Sequence, residues 1–161
     1  MSEKAAAALE IYKSIEGQEE GVGDWLVIDQ DRINMFADAT LDHQFIHIDP
    51  KKSAEMSPYK VTIAHGFLTL SLIVHLGESV PALRPEVLEG VFMGVNYGLD
   101  KVRFPAPVPV DSKVRARHTL MSAELKGANT IQVKRQVTVE LDGSDKPVCV
   151  AESLIRYMYG E

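Results

Sequence analysis

Between Thr40 and Pro50 the chain reads Thr-Leu-Asp-His-Gln-Phe-Ile-His-Ile-Asp-Pro, which packs Asp42, His43, His47 and Asp49 into a few residues. An Asp and a His five apart in a loop can converge on one water, with carboxylate and imidazole as acid–base partners. The same residues read equally as a capping Asp and surface histidines. His43, His47 and Asp49 are also metal-ligand types, although nothing regular in this stretch fixes their directions.

A second group lies in Ile63-Ala-His-Gly-Phe-Leu-Thr-Leu. Gly66 stands where a long apolar helix should begin, and the first N–H groups of a helix have no partner within it. Such an end can hold an oxyanion, and a glycine there lets a ligand approach the backbone closely. The alternative is a glycine chosen for a tight turn. His65 either orients that turn or is partly buried; Thr69 and Ser71 bond back onto the helix or reach a ligand. His75, on an apolar helix, is expected to be a satisfied core residue. A third stretch, Asn96 to Pro109, holds Gly98, the mark of a bulge within a strand, with Lys101 and Arg103 alternating on one face where phosphates could be met.

The elements that must position these residues follow from periodicity. Residues 3–15 predict a helix stopped near Gly17, and a short strand follows around Trp25 to Ile28. Asp29 heads a second helix, with Ile33, Phe36 and Ala37 at helical spacing. From Gly66 the run Phe-Leu-Thr-Leu-Ser-Leu-Ile-Val-His-Leu is apolar almost all round, which predicts a helix buried on most sides and ended by Pro81 and Pro85. Period-two patterning then predicts strands at residues 90–104, 113–122, 130–141 and 147–159, with a corner at Pro105, Pro107 and Pro109. Helices segregated from hairpin strands make an α+β domain, a curved antiparallel sheet wrapped around one long helix.

Composition bounds the function. With 17 basic and 23 acidic residues the formal charge is −6, and no basic run offers phosphates a landing strip, so nucleic acid is excluded as a partner. The longest charge-free run, Val61 to Gly77, contains two histidines and falls short of the ~20 apolar residues of a membrane span. No secretory signal is evident at the N-terminus, and the single Cys149 cannot form an internal disulfide, so a cytoplasmic protein is expected.

Three segments together, 36–50, 63–72 and 96–109, resemble the MaoC-like dehydratases and (R)-specific enoyl-CoA hydratases, and within them the nodulation-protein-N-like branch. The family motif Gly-Asp-x-Asn-Pro-x-His puts its Asp and His on Asp42 and His47, and the helix-start glycine on Gly66. The chain departs from it at Leu41, Gln44 and Phe45. A Gln and an aromatic at the last two positions are usual in that branch. Leu41 is the odd one: if the family glycine has φ > 0, leucine there is strained or the turn is reshaped.

The resemblance implies a single hot-dog fold over residues 21–161 with residues 1–20 as a helical extension, and a homodimer with acyl pockets at or near the interface. It implies reversible hydration of a trans-2-enoyl thioester to the (R)-3-hydroxyacyl thioester. Asp42 and His47 would be catalytic, the Gly66 N–H would form the oxyanion hole, and His65, Thr69, Lys101 and Arg103 are substrate-binding candidates. No metal or redox cofactor is required; coenzyme A or an acyl-carrier protein carries the acyl group. An acyl-CoA thioesterase and a non-catalytic acyl-thioester-binding protein are the alternatives, since fold does not fix function.

Overall fold

The computed structural model describes residues 2–160. Helix α1 (Glu3–Ser14) starts where the Ser2 side chain accepts from the Ala5 N–H, with Glu3 in its first turn and Lys13 in its last, as the helix dipole favours. Two short strands follow, β1 (Glu19–Val22) and β2 (Leu26–Ile28), then α2 (Gln30–Thr40), capped by Asp29 through the Arg32 N–H. Beyond α2 come two small helices, α3 (Phe45–Ile48) and α4 (Pro50–Met56), and then α5 (Gly66–Ser71) and α6 (Ile73–Glu78), two segments of one helix joined at Leu72. A 3₁₀ turn at Pro85–Leu88 precedes the four long strands β3 (Val91–Arg103), β4 (Ser112–Leu125), β5 (Thr130–Leu141) and β6 (Cys149–Tyr159).

All strand pairings are antiparallel, in the order β1-β4-β5-β6-β3, with β2 also paired to β4. The period-two pattern sorts residues between two faces. On the solvent face Arg115 and Arg117 both reach Glu140 at 2.7 Å, and Lys134 meets Glu152 at 2.6 Å. The helix face carries two apolar clusters. One gathers Ile33, Leu68, Leu76, Ala116, Val137 and Ala151 beneath α2, α5 and α6; the other gathers Ala5, Ala8, Tyr12, Leu120, Val133 and Tyr159 beneath α1. Thus the N-terminal helical segment is packed into the same body, closing one end of the sheet.

Three expectations need correction. The helix from Gly66 is not buried on most sides: Phe67 is 68% exposed and Val74 half-exposed, because one curved sheet covers only one side of it. His75 lies on that open side, its Nδ1 3.2 Å from a Glu78 carboxylate oxygen, and is no core residue. The stretch after Thr40, read as irregular, contains α3 and α4, each too short for its periodicity to register in the sequence. The bulge expected at Gly98 is present, as a register shift against β6 between Asn96 and Gly98.

Between the two clusters runs a polar seam. His118 sits on β4 between Ala116 and Leu120, and Arg135 on β5 between Val133 and Val137, opposite Ser153 of β6. Glu20 of β1 reaches Arg135 with two oxygens, at 2.6 and 3.1 Å, and the Tyr157 hydroxyl lies 3.3 Å from the same guanidinium. Both side chains of the ion pair are almost wholly buried. Removing one partner from such a pair strands a buried charge, which costs more than the pair contributes. Glu20→Gln should therefore lower unfolding free energy by about 3 kcal/mol in urea titrations, and Glu20→Gln with Arg135→Met should recover part of it. A loss below about 1 kcal/mol for the single change would show that the pair is not buried as described.

Candidate active site

Asp42 and His47 flank a sharp change of direction. Helix α2 ends at Leu41, whose φ of 63° and ψ of 20° place it in the left-handed region that favours glycine. The leucine side chain is 81% exposed, so nothing it packs against explains the strain. The turn delivers Asp42 with its carbonyl aimed at His65, whose Nε2 donates to it at 2.9 Å. The Asp42 carboxylate remains more than half exposed, its Oδ1 accepting weakly from the Gln44 N–H at 3.4 Å.

His47 is held from several directions. Its Nδ1 donates to the Ile63 carbonyl at 2.7 Å, which leaves Nε2 as the nitrogen with a lone pair. Gln30, in the first turn of α2, donates to the His47 carbonyl at 2.7 Å and is itself met by the Thr62 hydroxyl. The Ile63 N–H donates to Ile46 at 3.0 Å, tying the segment before α5 to α3. His65 stacks on His47 with ring centroids 3.7 Å apart, and Phe36 closes the other side of His65 at 5.0 Å. Burial pushes the His47 pKa below the usual imidazole value, and the neighbouring His65 adds to this against the opposing pull of the Ile63 carbonyl and Asp42. At neutral pH His47 is therefore uncharged.

Potential ligand atoms of Asp42, His47 and His65 all lie within 4.8 Å of one another, a donor set that suits a cation by residue type. Two ring nitrogens are already committed to carbonyls, His47 Nδ1 to Ile63 and His65 Nε2 to Asp42. The groups left facing outward are His47 Nε2 and the Asp42 carboxylate, the inventory of an acid–base pair. His43 and Asp49 do not join them: His43 bonds Asp38 at 2.8 Å on the surface, and Asp49 caps α4 through the Lys52 N–H.

Gly66 opens α5, and no side chain caps that helix start, so the first-turn N–H groups are left without a side-chain acceptor. Space also demands glycine here: a Cβ would lie 2.9 Å from ring carbons of Phe104. Thr69 is buried one turn further in, and Ser71 bonds back to the Phe67 carbonyl at 2.7 Å. Lys101 pairs with Glu152 at 3.5 Å on β3, away from the acid–base pair, and Arg103 stands next to Phe104 with one nitrogen on the Val102 carbonyl. Gln30 was not singled out in the sequence. A polar residue in a helix's first turn looks like ordinary capping chemistry, and only the tertiary contact reveals its hold on His47.

Comparison with known proteins identifies the family and the fold. A family model described as the MaoC like domain matches residues 13–142. The chain belongs to the MaoC-like dehydratase family. It is 49% identical over 142 residues to the 3-hydroxyacyl-thioester dehydratase Z of Mycobacterium tuberculosis, covering 88% of this chain and 90% of that protein. It is 46% identical over 136 residues to nodulation protein N of Rhizobium leguminosarum bv. viciae, covering 84% and 81%. Among solved structures, the MaoC-like dehydratase from Rhodospirillum rubrum superposes with a TM-score of 0.71 at 15% identity, over 91% of this chain and 94% of that one. The R-hydratase PhaJ1 from Pseudomonas aeruginosa does so with a TM-score of 0.64 at 23% identity, over 93% and 85%. The fold is therefore the α+β hot-dog fold.

Within this MaoC-like frame Leu41 is a measurable oddity. A left-handed conformation costs a residue with a Cβ about 1–2 kcal/mol, and glycine gives back about 0.5–1 of that through its freer unfolded state. Leu41→Gly should raise stability by about 0.5 kcal/mol or more in urea denaturation. A lower midpoint would mean that the leucine contributes something its exposure conceals.

Proposed function

We propose that this protein catalyses the reversible hydration of a trans-2-enoyl thioester to the (R)-3-hydroxyacyl thioester. The observation that carries this reading is His47, its Nδ1 committed to the Ile63 carbonyl and its Nε2 lone pair free, beside the Asp42 carboxylate and near the uncapped helix start at Gly66. The 3-hydroxyacyl-thioester dehydratase and R-hydratase among the relatives and fold neighbours support it.

The chemistry follows from proton balance. A water held between Asp42 and His47 Nε2 attacks the β-carbon of the conjugated thioester. The π pair moves to the α-carbon and carbonyl as an enolate, whose oxygen faces the Gly66 N–H; such a donor contributes about two to three orders of magnitude. The water's proton passes to the acid–base pair, and a proton from that pair goes to the α-carbon. Dehydration runs the same steps backwards. His65 serves as a positioning residue: its ring stacks on His47 and its Nε2 donates to the Asp42 carbonyl, while its Nδ1 is buried with no hydrogen-bond partner among the described residues. Coenzyme A or an acyl-carrier protein carries the acyl group, and the buried, unpaired Cys149 suits the cytoplasm. Among the described residues no helix is long and apolar enough to cross a membrane.

Loss of the conjugated-thioester absorbance of crotonyl-CoA and longer enoyl-CoAs measures the activity. Asp42→Asn and His47→Ala should each lower kcat/KM by about 10²-fold or more. Full rates in both variants, or release of free thiol in place of hydration, would overturn the reading. Because burial holds His47 neutral, the acid limb of the kcat/KM profile should fall below the ordinary imidazole value of about 6.5, and a limb at or above it would contradict His47 as the proton acceptor.

A second copy of the chain completes the molecule in this reading. Strand β3 is a free sheet edge of 13 residues with Phe92, Met93, Val95, Tyr97 and Leu99 all exposed, and the bare face of α5 presents Phe67. A long apolar edge left in water invites pairing, and two copies joined along β3 remove it. Sedimentation should give a dimer, and Phe92→Asp with Val95→Lys should shift it to monomer with loss of activity. A wild-type monomer at micromolar concentration would refute the arrangement.

A further inference from the structure

The first turn of a helix favours an acidic side chain, because its free N–H groups carry partial positive charge. Helix α2 nevertheless begins with a neutral amide, Gln30, directly after the capping Asp29. A carboxylate at this position could accept hydrogen bonds but donate none, and its surroundings require donors. The Gln30 Nε2 donates to the Asn34 Oδ1 at 2.9 Å and to the His47 carbonyl at 2.7 Å. Its Oε1 accepts from the Thr62 hydroxyl at 2.5 Å. Turning the amide over would set its oxygen against two other oxygens, so its orientation is fixed.

Thr62 is 1% exposed and immediately precedes Ile63, whose carbonyl takes the His47 Nδ1–H at 2.7 Å. These contacts close a circuit. From the His47 ring it runs to the Ile63 carbonyl, back one residue to the Thr62 hydroxyl, through the Gln30 amide, and so to the His47 main chain. Neither α3 nor the 62–63 stretch can shift without opening one of its bonds. That stretch is itself tied down by Val110, which donates to the Thr62 carbonyl at 2.9 Å. Asp42 follows the C-terminal end of the same helix, just past Leu41. Helix α2 thus carries the carboxylate at one end and the hold on the imidazole at the other.

We propose that Gln30 and Thr62 are a positioning pair that fixes the His47 imidazole in its Nδ1–H tautomer and keeps Nε2 free beside Asp42. The proposal rests on the hydratase reading above and deepens it by naming what orients the imidazole. Both side chains have their polar atoms committed within the circuit, so they act through His47 and not on the substrate. Opening the circuit lets α3 move and the Nδ1 bond lengthen. A ring released from the Ile63 carbonyl also populates the other tautomer, in which Nε2 carries the proton and accepts none. A displacement of about 1 Å at a reacting group costs up to about 10²-fold in rate.

Three variants of the whole protein test the pair. Gln30→Met keeps the side-chain length and removes all three bonds, at a position that is only partly buried. Thr62→Val removes the hydroxyl, and Thr62→Ser retains it. With crotonyl-CoA, Gln30→Met and Thr62→Val should lower kcat by about tenfold or more, with KM within about twofold of wild type. Thr62→Ser should stay close to the wild-type kcat. Without substrate, the nitrogen-15 resonances of the His47 ring should report the Nδ1–H tautomer in wild type and Thr62→Ser. Gln30→Met and Thr62→Val should give a mixture of tautomers. Wild-type kcat in those two variants, a rise in KM in place of a fall in kcat, or a fall in kcat with the tautomer unmixed would overturn the positioning role. If Gln30→Met does not fold, the contrast between Thr62→Val and Thr62→Ser decides. A wild-type protein that hydrates no enoyl thioester would instead sink the hydratase reading, and the tautomer series alone would then judge the pair.

Discussion

The bond from His47 Nδ1 to the Ile63 carbonyl joins the acid–base chemistry to the frame of the sheet. Ile63 is anchored because its neighbours pair with the chain between β3 and β4: Ala64 donates to Val108 at 2.8 Å, and Val110 donates to Thr62 at 2.9 Å. The same segment runs directly into α5, so one stretch of backbone sets both the imidazole tautomer and the place where the helix begins. Loss of that bond would free His47 to rotate and would leave a buried carbonyl unpaired.

Regular elements were legible in the sequence to the extent that their information is local. Strand β5 spans the residues its alternation predicts, and Asp29 caps α2 as its position before an acidic first turn implies. Asp42, His47, His65 and Gly66 were legible as residue types in two segments, and the structure brings these two segments together. What escaped is long-range. Gln30 grips the carbonyl of His47 across 17 positions, and Glu20 meets Arg135 across 115. Neither residue has a local pattern to advertise its role. The helix from Gly66 misled in a different way: its all-round apolarity predicts burial on most sides, but the curved sheet covers only one of them.

Position in the sheet explains why a polar seam is tolerated between two apolar clusters. A continuous hydrophobic face from α1 to α6 would be filled by packing, and no cavity would remain. The Glu20–Arg135 pair, with Tyr157 alongside, holds the two clusters apart while satisfying its own charges. Such a pair adds little net stability over apolar side chains of similar size, so its presence fits a role in shaping space. The cavity then forms where the helix crosses the seam at Gly77, the one place where α6 has no side chain to fill it.

The open side of α5 bears on the chemistry as much as on the packing. In the single chain Asp42 is more than half exposed, and water around a carboxylate weakens its interaction with a reacting group. An enolate oxygen near Gly66 would likewise be stabilised partly by solvent, which must reorganise as charge develops, where fixed N–H dipoles in a dry site need not. Phe67 and Phe104, edge to face at 5.9 Å beside Gly66, already form one apolar wall of such a site. Their exposure in one chain and the exposed edge of β3 belong to the same surface problem. A partner that covered both would exclude water from the acid–base pair as it buried the apolar edge, so assembly and catalytic competence would then be set by the same contacts.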